Sequence, residues 1–108
     1  MSPDASSDAL YLEQMRSAIA AVESFTAGVS AEAFAKNRMM QSAVILQLLV
    51  IGELAKKLSD ETRGKIVLPW KEIIGFRDRA IHNYFEVDLG IVWDTVSIDI
   101  PELKKQID

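Results

Sequence analysis

The stretch "NRMMQSAVILQLLVIGELAKKL", from about Asn37 to Leu58, limits what this chain can fold into more than any other. Through its middle the apolar residues fall on nearly every face of a helix, which predicts the longest helix of the chain, covered on both sides. One side would be covered by its own domain and the other by a second chain. Gly52 sits inside this helix, where a glycine costs roughly 1 kcal/mol relative to alanine; its presence predicts a close backbone approach. The most apolar run, Ala43 to Gly52, is too short to span a bilayer, which takes about 20 residues.

The remaining segments are helical too. Residues 1–8, "MSPDASSD", read as a frayed leader ending in a cap at Ser7 or Asp8. Tyr11, Met15, Ala18, Ile19, Val22 and Phe25 then recur every three or four residues, one stripe of an amphipathic helix that Gly28 ends. Ser30 opens a short helix or first turn. Ser59 or Asp60 opens another, stopped by Gly64. Pro69 disfavours helix at Leu68, so "VLPW" is a turn. From Trp70 a helix runs through "GFRDRAIHNYF", with Trp70, Ile73, Ile74, Ile81 and Tyr84 available for burial. Leu89, Val92, Trp93 and Val96 mark a further helix from about Asp88, and Asp99 with Pro101 predicts the start of a terminal one. Strand alternation is nowhere sustained. The expected fold is all-α, an antiparallel bundle of four or five helices in one domain over residues 1–108.

Several function classes are excluded or narrowed at once. The chain has no cysteine and a single histidine, which rules out disulfides, cysteine nucleophiles and a multi-histidine metal site within one chain. No basic segment precedes an apolar one at the N-terminus, so no signal peptide is expected and the compartment would be the cytoplasm. A net charge of −4 argues against broad nucleic-acid binding by field alone. Contact with RNA needs a local basic cluster, and "FRDR" provides it.

That cluster is where reactive groups concentrate: Arg77, Asp78, Arg79, His82 and Tyr84. Asp78 and His82 are four apart, close enough on one helix face for a carboxylate–imidazole hydrogen bond. Arg77 and Tyr84, seven apart, share another stripe. Arg77 and His82 point about 140° apart on a straight helix, so they meet at one phosphate only if the helix ends or bends, or if a second chain faces the first. Histidine moves protons near neutral pH, arginine holds a phosphate and stabilises its transition state, and an aspartate can orient the histidine. Together they suit metal-independent RNA cleavage by the neighbouring 2′-hydroxyl. That reaction wants a base and an acid, and a symmetric homodimer would supply the second histidine.

Blander readings stand beside these. A lone histidine on a helix is usually a surface residue, and neighbouring Arg and Asp are often solvated ion pairs. Tyr84 reads by default as half-buried core with a wet hydroxyl. Glu53, Lys56 and Lys57 read as a solvated face, with Glu53 placed to pair with Lys57.

The segments "IGELAKKLS", "PWKEIIGFRDRAIHNYF" and "VDLGIVWDTV" resemble the HEPN superfamily, specifically its small HepT-like toxins. The family pattern is an arginine, four to six residues, a histidine, one residue and a tyrosine; Arg77, His82 and Tyr84 fill it. The resemblance implies a helical bundle whose dimer joins two such motifs in one cleft. It implies a metal-independent endoribonuclease, the toxin of a toxin–antitoxin system, without a cofactor. Its partner would be a minimal nucleotidyltransferase antitoxin that silences it by transferring AMP to Tyr84. Arg77 and His82 would be catalytic, with Asp78 and Arg79 supporting. Asp78 departs from the asparagine common in relatives and adds a negative charge beside the phosphate site. The rival expectations are a non-catalytic partner that binds a nucleotidyltransferase and a nucleotide, and a plain dimeric bundle.

Overall fold

Six residues that can cap or break a helix set the chain's course in the computed structural model, which describes residues 5–108. A 3-10 turn at Ala5–Ser7 leads into α1, Asp8–Thr26. Gly28 then takes a left-handed φ of 70° that a side chain would disfavour. Ser30 caps α2 (Ala31–Ala35) by accepting from Ala33 N, and Asn37 caps α3 (Arg38–Lys57) by accepting from Met40 N. Ser59 does the same for α4 (Asp60–Lys65), and Asp88 for α6 (Leu89–Asp94). Each of these oxygens satisfies a first-turn N–H that has no partner within the helix. Between α4 and α6 lies α5, Trp70–His82, which starts directly after Pro69.

The bundle expected from periodicity is present, and no strand occurs among the described residues. Four long rods carry it: α1, α3, α5 and a final rod from Leu89 to Ile107. Helix α3 is central, packed on α1 and on α5, while α7 (Ile100–Ile107) returns along α1. Long-range contacts fix the directions. Asp8, at the start of α1, meets Ser59, just past the end of α3. Ser42 meets Tyr84 while Gly52 meets Arg77, so α3 and α5 also run antiparallel. Met15, Ile19 and Val22 of α1 pack with Val44, Ile45, Leu48 and Ile51 of α3, and with Phe34, Val92 and Ile100. Phe34 and Trp93 stack at 5.0 Å between ring centroids. By length and composition α3 could cross a membrane; in the bundle its inner face is the core.

Five expectations change. Residues 1–4 of the expected frayed leader lie outside the described residues, but its end is anchored: Asp8 is buried and accepts from Ser59 N at 3.0 Å and Ser59 Oγ at 2.5 Å. Gly64 does not stop α4, which continues to Lys65. The start expected at Asp99 is absent, because Asp99 makes no capping bond and α6 runs into α7 through π-helical turns at Thr95–Asp99. Pro101 has no N–H to give and its ring crowds the carbonyl four residues back; the wider π turns make room without breaking the rod. Finally, α5 ends at His82, so Tyr84 falls in a 3-10 turn, Tyr84–Glu86. Ile81 is exposed, not buried.

Candidate active site

The last two turns of α5 carry the polar cluster, and α3 holds one side of it in place. A Cβ at Gly52 would lie 2.6 Å from Arg77 Cβ and 3.4 Å from the Ile73 carbonyl. This is the close approach that a glycine inside an apolar helix predicted, and it lets α5 settle against α3 at Arg77. The guanidinium is then drawn into a charge cluster. Nη2 lies 2.7 Å from Glu53 Oε2, and Nη1 donates to Asp78 Oδ1 at 2.8 Å. The Glu53 contact is close but poorly aligned: Glu53 Oε2 and Arg77 Nε are sealed from solvent without a well-directed hydrogen bond. Asp78 also faces Lys56 Nζ at 3.7 Å. The hydrogen bond from Arg77 holds its carboxyl below the usual carboxylate range despite partial burial, helped by the charges of Lys56, Arg77 and His82.

Glu53 and Lys56 therefore belong to the cluster and are not simply a solvated face. Glu53 does not pair with Lys57, which lies 5.8 Å over the Tyr11 ring. Gly52 was the available signal: a residue next to a close-approach glycine faces the crossing helix. The expected hydrogen bond between Asp78 and His82 is not made, because Arg77 and Lys56 take the carboxylate instead. The imidazole makes no hydrogen bond to any described residue.

His82 is exposed at the end of α5 and opens onto a different space. It lines a groove of about 450 Å³ with Asp78, Arg79, Asn83, Glu86 and Ile91. The cation in that groove is Arg79; Arg77 does not line it. Arg79 makes no ion pair with a described residue. Tyr84 stands apart from both arginines. The chain leaves α5 at Asn83, with φ −151° and ψ 75°, so the seven-residue count that would return Tyr84 to the Arg77 stripe does not apply. Its ring lines a separate depression of about 330 Å³ with Lys36, Arg38, Gln41 and Ser42. Its hydroxyl shares a 3.0 Å hydrogen bond with Ser42 Oγ. One chain thus presents the motif on three surfaces: Arg77 against α3, His82 with Arg79 in the groove, and Tyr84 beside Ser42.

A strand-free helical bundle with Arg-x4-His-x-Tyr at the end of a helix has the make-up of a HEPN domain. The model of one family in that superfamily, described as ribonuclease HepT-like, matches residues 15–108, and the chain belongs to that family. A provisionally named RNase of Caldanaerobacter subterraneus subsp. tengcongensis is 46% identical over 81 residues, covering 74% of this chain and 72% of the relative. A protein of Thermococcus cleftensis named "Probable ribonuclease HepT" is 42% identical over 95 residues, 87% of this chain and 86% of its own. In Methanocaldococcus jannaschii, a protein named as a gamma-glutamylcyclotransferase and provisional RNase is 39% identical over 99 residues. The match spans 91% of this chain but 45% of that longer relative. No solved structure matches the chain significantly.

Proposed function

We propose that this chain is a metal-independent endoribonuclease, the cytoplasmic toxin of a toxin–antitoxin pair, cutting RNA at a site that two copies complete. The observation that carries the reading is the separation of His82 from Arg77. Both lie on α5, yet the imidazole opens onto a groove while the guanidinium faces α3. A second copy could bring an arginine to each histidine. Exposed apolar side chains beside the motif support such a partner: Met39, Leu46 and Val50 on α3, with Ile81 and Phe85 around the end of α5. A stable interface here would bury well over about 1,000 Å² in total.

In this reaction His82 takes the proton of a ribose 2′-hydroxyl, whose oxygen attacks the adjacent phosphorus. The bond to the 5′-oxygen breaks, and the partner's His82 protonates that oxygen as it leaves. Arg77 stabilises the charge gathered on the phosphate oxygens. Asp78 and Arg79 support, Asp78 by holding Arg77 and Arg79 by placing positive charge in the His82 groove. A minimal nucleotidyltransferase antitoxin would transfer AMP from ATP to the Tyr84 hydroxyl, releasing pyrophosphate. The half-exposed ring, 40% accessible, is compatible with that role.

Cleavage of RNA by the pure protein in excess EDTA, beside its His82→Ala variant, tests the reading; equal cleavage by both overturns it. Mixing Arg77→Ala and His82→Ala subunits tests the composite site, since heterodimers keep one arginine and one histidine in different chains. Mass spectrometry after incubation with the cognate nucleotidyltransferase and ATP tests Tyr84, with Tyr84→Phe as the control.

One observation favours a second reading, a non-catalytic partner of a nucleotidyltransferase. Arg77 is already matched by two carboxylates, Glu53 and Asp78, and a phosphate must compete with both. A protein that binds the nucleotidyltransferase but leaves RNA intact at every concentration fits this alternative.

A further inference from the structure

The catalytic reading uses only one end of a longer groove between α5 and the rod formed by α6 and α7. At that end lie His82 and Asn83. Beyond it is a more enclosed recess of about 260 Å³, walled by Ile73 on α5 and by Thr95, Asp99 and Leu103 on the rod. Phe76, Arg79 and Ile91 line both spaces, so they join without a gap. The walls of the recess are mostly apolar, but three charged side chains border it: Glu72, Arg79 and Asp99. None of them has a hydrogen-bond or ion-pair partner among the described residues.

Two features set these groups apart from ordinary surface charges. Gly75 leaves the room that Arg79 occupies, since a Cβ there would lie 3.1 Å from Arg79 Nη1. The guanidinium lies back along α5 at the junction of the two spaces. Asp99 is half-buried, and burial, reinforced by the like charge of Asp94, pushes its carboxyl above the usual range. A partly buried carboxylate without a protein donor keeps its acceptors open to a ligand that brings donors.

From this continuity and these unpaired groups we infer that the recess is a base-binding subsite for the nucleotide next to the scissile phosphate, and that it takes guanine. Guanine presents O6 and N7 as adjacent acceptors, which a guanidinium can engage together. On its neighbouring edge it presents N1–H and the exocyclic amine, two donors that a carboxylate can accept. No other RNA base offers that combination. Ile73, Phe76 and Leu103 supply apolar surface for the ring faces. The functional meaning of the subsite rests on the ribonuclease reading, but its occupancy can be measured without cleavage.

The probes are GMP, AMP, CMP and UMP, titrated into the ¹⁵N-labelled full chain and into Asp99→Asn. That variant keeps the shape of the carboxylate but replaces two acceptors by one acceptor and one donor. The expected result is amide shifts at Phe76, Ile91 and Thr95, with GMP binding at least about tenfold more tightly than AMP. Asp99→Asn should abolish the preference, with GMP binding weakened at least about tenfold. Equal binding of all four, shifts gathered instead at Ser42 and Tyr84, or a groove that stays silent because a second copy covers it each overturns the subsite. RNA cleavage without guanine-selective binding overturns the subsite and leaves the ribonuclease standing. Guanine-selective binding without cleavage keeps the subsite and overturns the ribonuclease.

Discussion

Two polar clusters sit along the C-terminal half of α3 and its exit, one around Asp8 and one around Arg77, and they are built on opposite principles. Asp8 is 6% exposed and accepts from Ser59 N, Ser59 Oγ and Thr62 Oγ1. Ser59 Oγ in turn caps α4 by accepting from Thr62 N. Every strong acceptor there has a well-placed donor, and the result pins the start of α1 to the junction of α3 and α4. Around Arg77 the charges outnumber the good bonds: Glu53 and Asp78 crowd one guanidinium, Lys56 faces Asp78, and two buried polar atoms stay without directed partners. A satisfied cluster stabilises the fold, whereas an under-satisfied one can exchange partners with a ligand. The first should therefore matter for stability and the second for chemistry.

The largest effects should come from the motif. On the proposed mechanism, His82→Ala would remove the proton carrier and should lower cleavage about 10²–10⁴-fold, and Arg77→Ala should lower it about 10²–10³-fold. His82 has no hydrogen-bond partner to lose, so its variant should melt with the parent protein in calorimetry. A marked loss of melting temperature in His82→Ala would mean that the comparison between the clusters is wrong.

Asp8→Ala should show the reverse pattern. Removing a carboxylate that accepts three hydrogen bonds in a buried setting leaves their donors stranded, at a cost of about 2–4 kcal/mol. For a domain of this size that is a melting-temperature drop of roughly 10–20 °C, with cleavage per folded molecule unchanged. The pH dependence sharpens the test. Burial alone raises the Asp8 pKa, but the bonds from Ser59 and Thr62 together outweigh it and hold it below the ordinary 3.8. A carboxyl with a depressed folded pKa stabilises the fold above the unfolded value and loses that contribution as pH falls through the folded one. The parent protein should therefore lose stability more steeply than Asp8→Asn as pH drops below 3.8. Parallel denaturation curves would show that the carboxylate is not what holds the two ends together.

Much of this architecture is legible in the sequence where its causes are local. Ser30, Asn37, Ser59 and Asp88 mark helix starts because each bonds an N–H within three residues of itself. Gly28 marks an end because only its left-handed turn asks for glycine. What the sequence hides is set by distance or by backbone without a signature residue. The Asp8–Ser59 contact spans 51 positions. The end of α5 has no glycine or proline to announce it, so Tyr84 reads as helical when it is not. The rod from Leu89 to Ile107 passes through Pro101 by π turns that the sequence presents as a break. Arg77, His82 and Tyr84 are recognisable as a set from their spacing and family pattern, but their division among three surfaces follows from the unannounced turn at Asn83 and from the hold of α3 on Arg77.

Gly52→Ala probes that hold. The new Cβ would press on Arg77 Cβ, an atom fixed to the backbone of α5, so the helices must separate. Overpacking of this kind costs about 1–3 kcal/mol, offset by about 1 kcal/mol of helix propensity. The outcome should be a modest loss of stability together with a larger loss of cleavage, because the guanidinium shifts with its helix. Unchanged cleavage would mean that the approach of α3 to α5 does not position Arg77.

The smallest effect should come from Asp78→Asn, and its direction is informative. The carboxylate shares Arg77 with Glu53 and is itself half-exposed, so the pair adds little stability. The amide still offers Arg77 an acceptor but removes one of the two negative charges that a phosphate must displace. The hydrogen bond from Arg77 lowers the Asp78 pKa, which keeps that charge in place throughout the neutral range. Its removal should act on substrate binding, lowering KM for RNA with kcat nearly unchanged and raising kcat/KM by up to about fivefold. Asp78 makes no bond to His82, so the pH profile of kcat should keep its shape. A fall of a hundredfold or a displaced pH profile would assign Asp78 to the histidine after all. The under-satisfied cluster would then be a working part of the proton path and not a competitor for the phosphate.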